Sequence, residues 1–208
     1  DPALYPNIAT LAQDLRGLGF AFQTYYNTFL DIEADIYPES TSAGYQVMRE
    51  DGSSYLFQGV KFHDTALLDL ENPDARAWAK AVMQEGINEG SDGWMADFAE
   101  WLPTDAALHG GADPMLAHNR YPVRWAEINR ELLDAQTDGR ERLFFVRAAW
   151  LGSQPLVPVV WMGDQQTDFS DGDGMPSVIP MMLGLGLTGF PYVGHDIAGY
   201  MSQGTLPT

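Results

Sequence analysis

The chain has 208 residues, 45% of them apolar and 12% aromatic, enough for one sizeable globular core. Its net charge of −18, with only 11 Lys and Arg, argues against a nucleic-acid partner and against an anionic membrane surface, since both need a basic face. Cysteine is absent, so disulfides, thiol catalysis and Cys-based zinc sites are excluded, and no run of about 18 apolar residues signals a membrane-spanning helix.

In chain order, Ile8, Leu11, Leu15 and Leu18 recur at helical spacing and predict an amphipathic helix stopped by Gly17 and Gly19. Residues 20–30, FAFQTYYNTFL, are rich in aromatics and Thr and predict a strand. After an irregular acidic stretch, YQVMREDGSSYLF (45–57) sets Asp51 and Gly52 between two strand-like runs, predicting a β-hairpin insertion. Residues 72–90 read as a helix with Pro73 near its start and Ala75, Trp78, Ala79 and Val82 on one side. A short buried strand is expected over 94–98. An amphipathic helix follows at 119–136, through Trp125, Ile128 and Leu132. RLFFVRAAW (142–150) and LVPVVWMG (156–163) are continuous apolar runs, as strands covered on both faces are. PSVIPMMLGLGL (176–187) predicts a buried helix and GFPYVG (189–194) a last strand.

Strands separated by helices or long crossovers predict an α/β fold with a parallel sheet, and both a (β/α)8 TIM barrel and an open doubly wound sheet fit. The polar residues favour the barrel. Asp31, Asp97, Arg147, Asp164 and Asp196 fall at or just beyond the C-terminal ends of predicted strands, which in a barrel converge on one mouth. A whole barrel takes about 250 residues, so residues 1–208 are expected to be one partial (β/α)8 catalytic domain. The abrupt ends, at Asp1 and SQGTLPT, likewise read as a piece of a larger protein.

Asp97 and Asp164 are the candidate catalytic pair. Each ends an apolar strand, and each follows a tryptophan by three residues, Trp94 and Trp161. Two carboxylates across a cleft can supply a nucleophile and a proton donor at an acetal when their surroundings separate their pKa values. The plainer alternative is a helix-capping or loop-closing Asp. Arg147, one of few cations, either serves the site or forms a structural ion pair. Trp94, Trp101, Trp150, Trp161, Tyr192 and Tyr200 follow or end predicted strands, where aromatic faces could stack on sugar rings, although most aromatics are core. No histidine pair has HxxxH or HExxH spacing, and DFSDGDG (168–174) lacks the oxygen pattern of a calcium loop, so neither metal nor cofactor is expected. No GxSxG elbow supports a serine hydrolase.

GWMADFAEWLPTD resembles the nucleophile motif of the family 31 glycoside hydrolases, the α-glucosidase and α-xylosidase group. VRAAWLGSQPLVPVVWMGDQ is similar to that family's segment running from an Arg to the acid, and VGHDIAGY to its later Gly-x-Asp-x-x-Gly-aromatic segment. The spacing from Asp97 to Asp164, together with LPTDAALHGG and HNRYP, looks closer to the sulfoquinovosidase branch. The resemblance implies a retaining α-glycoside hydrolase acting on a carbohydrate, with sulfoquinovosides as the first substrate class. Hydrolysis or transglycosylation of neutral α-glycosides, and a catalytically silent glycan-binding barrel, are the alternatives. It implies Asp97 as nucleophile, Asp164 as general acid/base, Arg147 on hydroxyls of the sugar being cleaved, Trp161 as its wall, Asp196 as shaping the site and Tyr200 as helping to hold a sulfonate. Trp94 and Glu100 complete the candidate substrate-binding set. Burial beside Trp161 is expected to raise the pKa of Asp164, and the two carboxyl groups are expected about 5–5.5 Å apart. Ala99, Ala148 and Pro155 depart from the family's usual Gly, Ser and basic residue. Its main sulfonate-reading residues and last barrel strand are expected outside residues 1–208. Oligomeric state is left open, a homo-oligomer included.

Overall fold

The computed structural model describes residues 4–58 and 63–202. In chain order its helices and strands begin with α1 (Ile8–Gly17), β1 (Gln23–Tyr26), β2 (Phe29–Asp31), α2 (Tyr37–Ser42), β3 (Phe57–Gln58) and β4 (Asp64–Leu67). Then follow α3 (Pro73–Asn88), β5 (Gly93–Ala96), α4 (Pro114–Asp134), β6 (Leu143–Val146), β7 (Val159–Trp161), α5 (Val178–Leu187) and β8 (Val193–Gly194). The parallel sheet has the order β1-β5-β6-β7-β8. It never reverses, as in a barrel wall; a doubly wound sheet would turn back at a switch point. β2, β4 and β3 form a separate antiparallel sheet.

Several elements differ from expectation. The single strand over 20–30 is two strands in two sheets. The chain breaks at Asn27, whose side-chain Oδ1 accepts the Phe29 N–H at 2.7 Å and so stabilises a local turn in place of a ladder. Asp31 therefore ends β2 of the antiparallel sheet, where it meets His63 at 3.4 Å, and not a barrel strand. The reversal at Asp51-Gly52 is present, with Arg49 N–H on Ser53 O at 2.8 Å, but only an isolated Met48–Ser54 bridge closes it. β4 and α2, within stretches read as irregular or left unassigned, were not anticipated.

Asn72 caps α3 by accepting the Asp74 N–H at 2.9 Å, and Ala75, Ala79, Met83 and Ile87 form its buried i, i+4 stripe. α4 begins at Pro114, before the expected residue 119, where Asp113 caps it by accepting the Met115 N–H at 2.9 Å; Pro122 lies in its interior. The apolar stripe of α1 is mostly uncovered, with Leu18 74% exposed and Ala12 its buried contact. α5 is likewise not the buried helix expected: Val178 is buried, but Ile179, Leu183 and Leu187 are exposed. α5 lies against β8 at one end of the sheet, while α1 is held at the α3–β5 connection through Arg16, which donates to Gly90 O at 2.9 Å and Asp92 Oδ1 at 2.8 Å.

Strand alternation sorts the side chains of the parallel sheet. Thr24 and Tyr26 of β1 are in register with Trp94 and Ala96 of β5, and these with Phe144 and Val146 of β6. That face meets the helices: Tyr26 Oη donates to Met83 O of α3 at 3.3 Å, and Trp94 Nε1 to Asn129 Oδ1 of α4 at 2.6 Å. Trp94 stacks on Phe144 with centroids 5.8 Å apart, and Trp94, Ala96, Phe144, Val146 and Val160 are all buried. Gly93 permits the close approach of β5 to β6, since a Cβ there would lie 2.5 Å from Leu143 O. The opposite face carries Tyr25, Met95, Phe145 and Val159 in register, and leads at its C-terminal end to the polar residues below.

Candidate active site

Asp97 follows β5 and continues the alternation, so it falls on the face opposite Trp94 and Ala96. Its N–H donates to Tyr26 O at 2.8 Å, prolonging the β1–β5 ladder by one residue. The side chain is buried. Its Oδ2 accepts the Tyr25 hydroxyl at 2.7 Å, whereas buried Oδ1 has no hydrogen-bond donor among the described residues. Oδ1 instead lies 3.5 Å from Nε of Arg147, an ion pair lacking hydrogen-bond geometry.

Arg147 organises the site. It follows β6, donates through Nε to Glu100 Oε1 at 2.8 Å, pairs through Nη2 with the same oxygen, and places Nη1 3.6 Å from Asp164 Oδ2. Its guanidinium stacks over the Phe98 ring at 3.9 Å. One cation thus gathers three carboxylates that would otherwise repel. Trp101 Nε1 adds a donor to Glu100 at 3.1 Å. The segment after Asp97 turns sharply: Phe98 and Ala99 adopt φ of 59° and 83°, ending the strand two residues before expectation. The site where the family resemblance calls for Gly is therefore a left-handed position occupied by Ala99.

Asp164 lies three residues beyond the end of β7 at Trp161, after buried Met162 and Gly163 at φ +95°. Burial pushes its pKa up from the usual carboxylate value; Arg147 opposes this, while Asp97, Asp196 and Glu100 add to it. The direction matches the expectation for a proton donor. Trp161 is buried and donates through Nε1 to Asp196 Oδ2 at 3.0 Å, tying the ends of β7 and β8 together. Beside this group, a cavity of about 360 Å³ opens between Arg147, Glu100, Trp150, Gly163 and the start of α4 at His118 and Asn119.

Asp97, Glu100, Arg147 and Asp164 are thus brought together, with Trp161 and Asp196 linked alongside. Trp94 is not: its ring is fully buried against Phe144 and its only donor is taken by Asn129, which corrects the expectation that it contacts sugar. Tyr200 and Tyr192 stand exposed on and near the loop after β8. Tyr25 was missed by the sequence reading. Its signal, alternation with Tyr26, becomes visible only once β1 is paired with β5. Among the described residues no three His, Asp or Glu side chains converge to hold a metal ion, and no helix is long and apolar enough to cross a membrane.

Residues 1–207 match the glycosyl hydrolases family 31 TIM-barrel domain. The chain is 38% identical over 197 residues to the sulfoquinovosidase of Escherichia coli (strain K12), covering 94% of this chain and 29% of that protein. It is 27% identical over 211 residues to the alpha-xylosidase of Emericella nidulans, covering 100% of this chain and 26% of that one. A solved family 31 sulfoquinovosidase from E. rectale, in complex with the aza-sugar inhibitor IFGSQ, superposes with a TM-score of 0.90 at 37% identity, over 95% of this chain and 30% of that chain. The chain thus spans under a third of the length of these relatives. With the ordered parallel strands and the carboxylates gathered at their C-terminal ends, this match places the chain in glycosyl hydrolase family 31, as part of its TIM-barrel domain.

Proposed function

We propose that the protein carrying this chain is a retaining α-glycoside hydrolase, with α-sulfoquinovosides as substrates. The observation that carries the mechanism is the state of Asp97: one carboxylate oxygen is held by a hydroxyl, and the other is buried, without a donor among the described residues and beside a cation that also reaches Asp164. In the proposed reaction Asp97 Oδ1 attacks the anomeric carbon while protonated Asp164 gives its proton to the departing oxygen. The glycosidic bond breaks and a glycosyl ester forms. Water, deprotonated by Asp164, then attacks the anomeric carbon and releases Asp97 as a carboxylate. The reaction draws on no cofactor. Arg147 and Glu100 would meet sugar hydroxyls, Trp161 would wall the sugar with Asp196 fixing its edge, and a carboxyl separation of about 5–5.5 Å belongs to this mechanism.

The substrate class is supported by the 38% identity to the Escherichia coli sulfoquinovosidase, and the resemblance of the VGHDIAGY segment is the ground for assigning Tyr200 to the sulfonate. Neutral α-glycosides are the second reading, favoured by the similarity to an alpha-xylosidase. The test compares kcat/KM for 4-nitrophenyl α-sulfoquinovoside and 4-nitrophenyl α-glucoside in the full-length protein, with Asp97→Ala as blank. Preference for the sulfonated sugar is expected. Preference for the glucoside would keep the chemistry and discard the substrate.

A further inference from the structure

Beyond the carboxylates themselves, the chain contains a run of hydrogen bonds aimed at one of them. We infer that Tyr25 is a positioning residue that grips Asp97 by Oδ2, selecting Oδ1 as the attacking atom and stabilising the carboxylate when the glycosyl ester breaks down; this rests on the reading of Asp97 as nucleophile. The direction of each bond in the run is determined by the one before it. The Phe29 N–H donates to Asn27 Oδ1 at 2.7 Å, which sets the amide so that Nδ2 is the end facing Tyr25. Asn27 Nδ2 donates to the Tyr25 hydroxyl oxygen at 3.3 Å. A tyrosine hydroxyl has one proton, and with its oxygen already accepting, that proton goes to Asp97 Oδ2 at 2.7 Å. Burial, followed by the bond to Asp97, pushes the Tyr25 phenol well above its usual pKa, so it remains a donor throughout the working pH range.

The backbone supports the same arrangement. Tyr25 is in register with Met95, and the Asp97 N–H is held by Tyr26 O at 2.8 Å, so the carboxylate is located from both main chain and side chain by β1. Oδ1 is left without a donor among the described residues, which preserves its lone pairs for attack.

The chemistry makes the two half-reactions respond differently. In the first, Asp97 passes from carboxylate to ester as the Oδ1–carbon bond forms and the glycosidic bond breaks, so its bond from Tyr25 weakens; losing that bond costs positioning but also frees a more reactive carboxylate. In the second, water adds, the Oδ1–carbon bond breaks and its electron pair returns to the carboxylate. A hydroxyl on Oδ2 is then worth most, because bonds to charged acceptors exceed those to neutral ones. Removing it should slow the second step by about 10- to 100-fold and the first by less, so that the ester accumulates.

The experiment uses the full-length protein and 4-nitrophenyl α-sulfoquinovoside, or the α-glucoside if that is the better substrate. Rapid-quench kinetics of wild type, Tyr25→Phe and Asn27→Ala are compared, with intact-protein mass spectrometry to detect the ester. Tyr25→Phe should show slower deglycosylation, glycosyl-enzyme at steady state, and kcat and KM falling together. Asn27→Ala, which loosens the far end of the run, should shift the same way by a smaller factor, and it keeps the test alive should Tyr25→Phe not fold. A Tyr25→Phe protein whose glycosylation slows as much as deglycosylation, or whose rates match wild type, overturns the inference. If Asp97→Ala abolishes turnover in that case, the nucleophile assignment stands; if Asp97→Ala turns over, both fall.

Discussion

The ends of β5 and β7 both read Trp, two residues, Asp, yet Trp94 faces the helices while Trp161 bonds to Asp196 beside the site. In an extended strand, residues three apart point to opposite faces. β5 follows that rule: Trp94 goes to the core and Asp97 to the mouth, and only afterwards does the chain turn at Phe98 and Ala99. β7 breaks it. Gly163 takes a left-handed conformation one residue before Asp164 and brings the carboxylate back to Arg147, so Trp and Asp share one side. Identical spacing therefore yields a core tryptophan in one strand and a site tryptophan in the other: register sets the face of each tryptophan, and the turn sets where the aspartate goes.

The comparison can be broken at the carboxylates first. Asp97→Ala should lower kcat at least about 10⁴-fold, as loss of a residue acting within a catalytic unit does. Asp164→Asn should cost about 10²- to 10⁴-fold in kcat/KM for an alkyl glycoside, but far less for a 4-nitrophenyl glycoside, whose leaving group needs no proton. Equal losses on both substrates would remove Asp164 from the acid role. The tryptophans should separate by observable. Trp94→Ala should destabilise the fold by about 3–5 kcal/mol in denaturant unfolding and leave the KM of the folded fraction unchanged. Trp161→Phe, which keeps an aromatic side chain and loses the bond to Asp196, should lower kcat/KM by about 2- to 10-fold.

A pH profile sharpens the picture at the end of β7. An acid must be protonated to act, and burial raises the pKa of Asp164, so the basic limb of kcat/KM should lie above the ordinary Asp value of about 3.9. Asp164→Asn should erase that limb; its persistence would assign it to another group. The smallest effects concern the two left-handed turns. Gly163→Ala should cost about 1–2 kcal/mol and displace Asp164, whereas Ala99→Gly should relieve strain and raise stability by about 1 kcal/mol. A lower Tm in Ala99→Gly would mean that the buried methyl outweighs the backbone strain.

What the sequence alone determined is local and repeated: apolar runs ending in a polar residue. That pattern was sufficient for β5, β6 and β7 and for placing Asp97, Arg147 and Asp164 just beyond their C-terminal ends, because burying an apolar strand and ending it at a polar mouth each leave a mark within a few residues. It was insufficient where neighbouring residues carry competing signals. The aromatic run over 20–30 hides a turn that depends on one Asn side chain, and α4 starts at Pro114, just after its Asp113 cap and ahead of the expected residue 119. Only the tertiary structure decided the rest. The opposite fates of Trp94 and Trp161 depend on register, since Trp94 pairs with Phe144 on the helix face and Trp161 lies two residues after Val159 on the other. The contact of Tyr25 with Asp97 depends on β1 lying beside β5 in one register, across a separation of 72 residues that no short-range pattern records. Cover for α1 and α5 is likewise a matter of what packs against their outer faces, since an apolar stripe states only that something must.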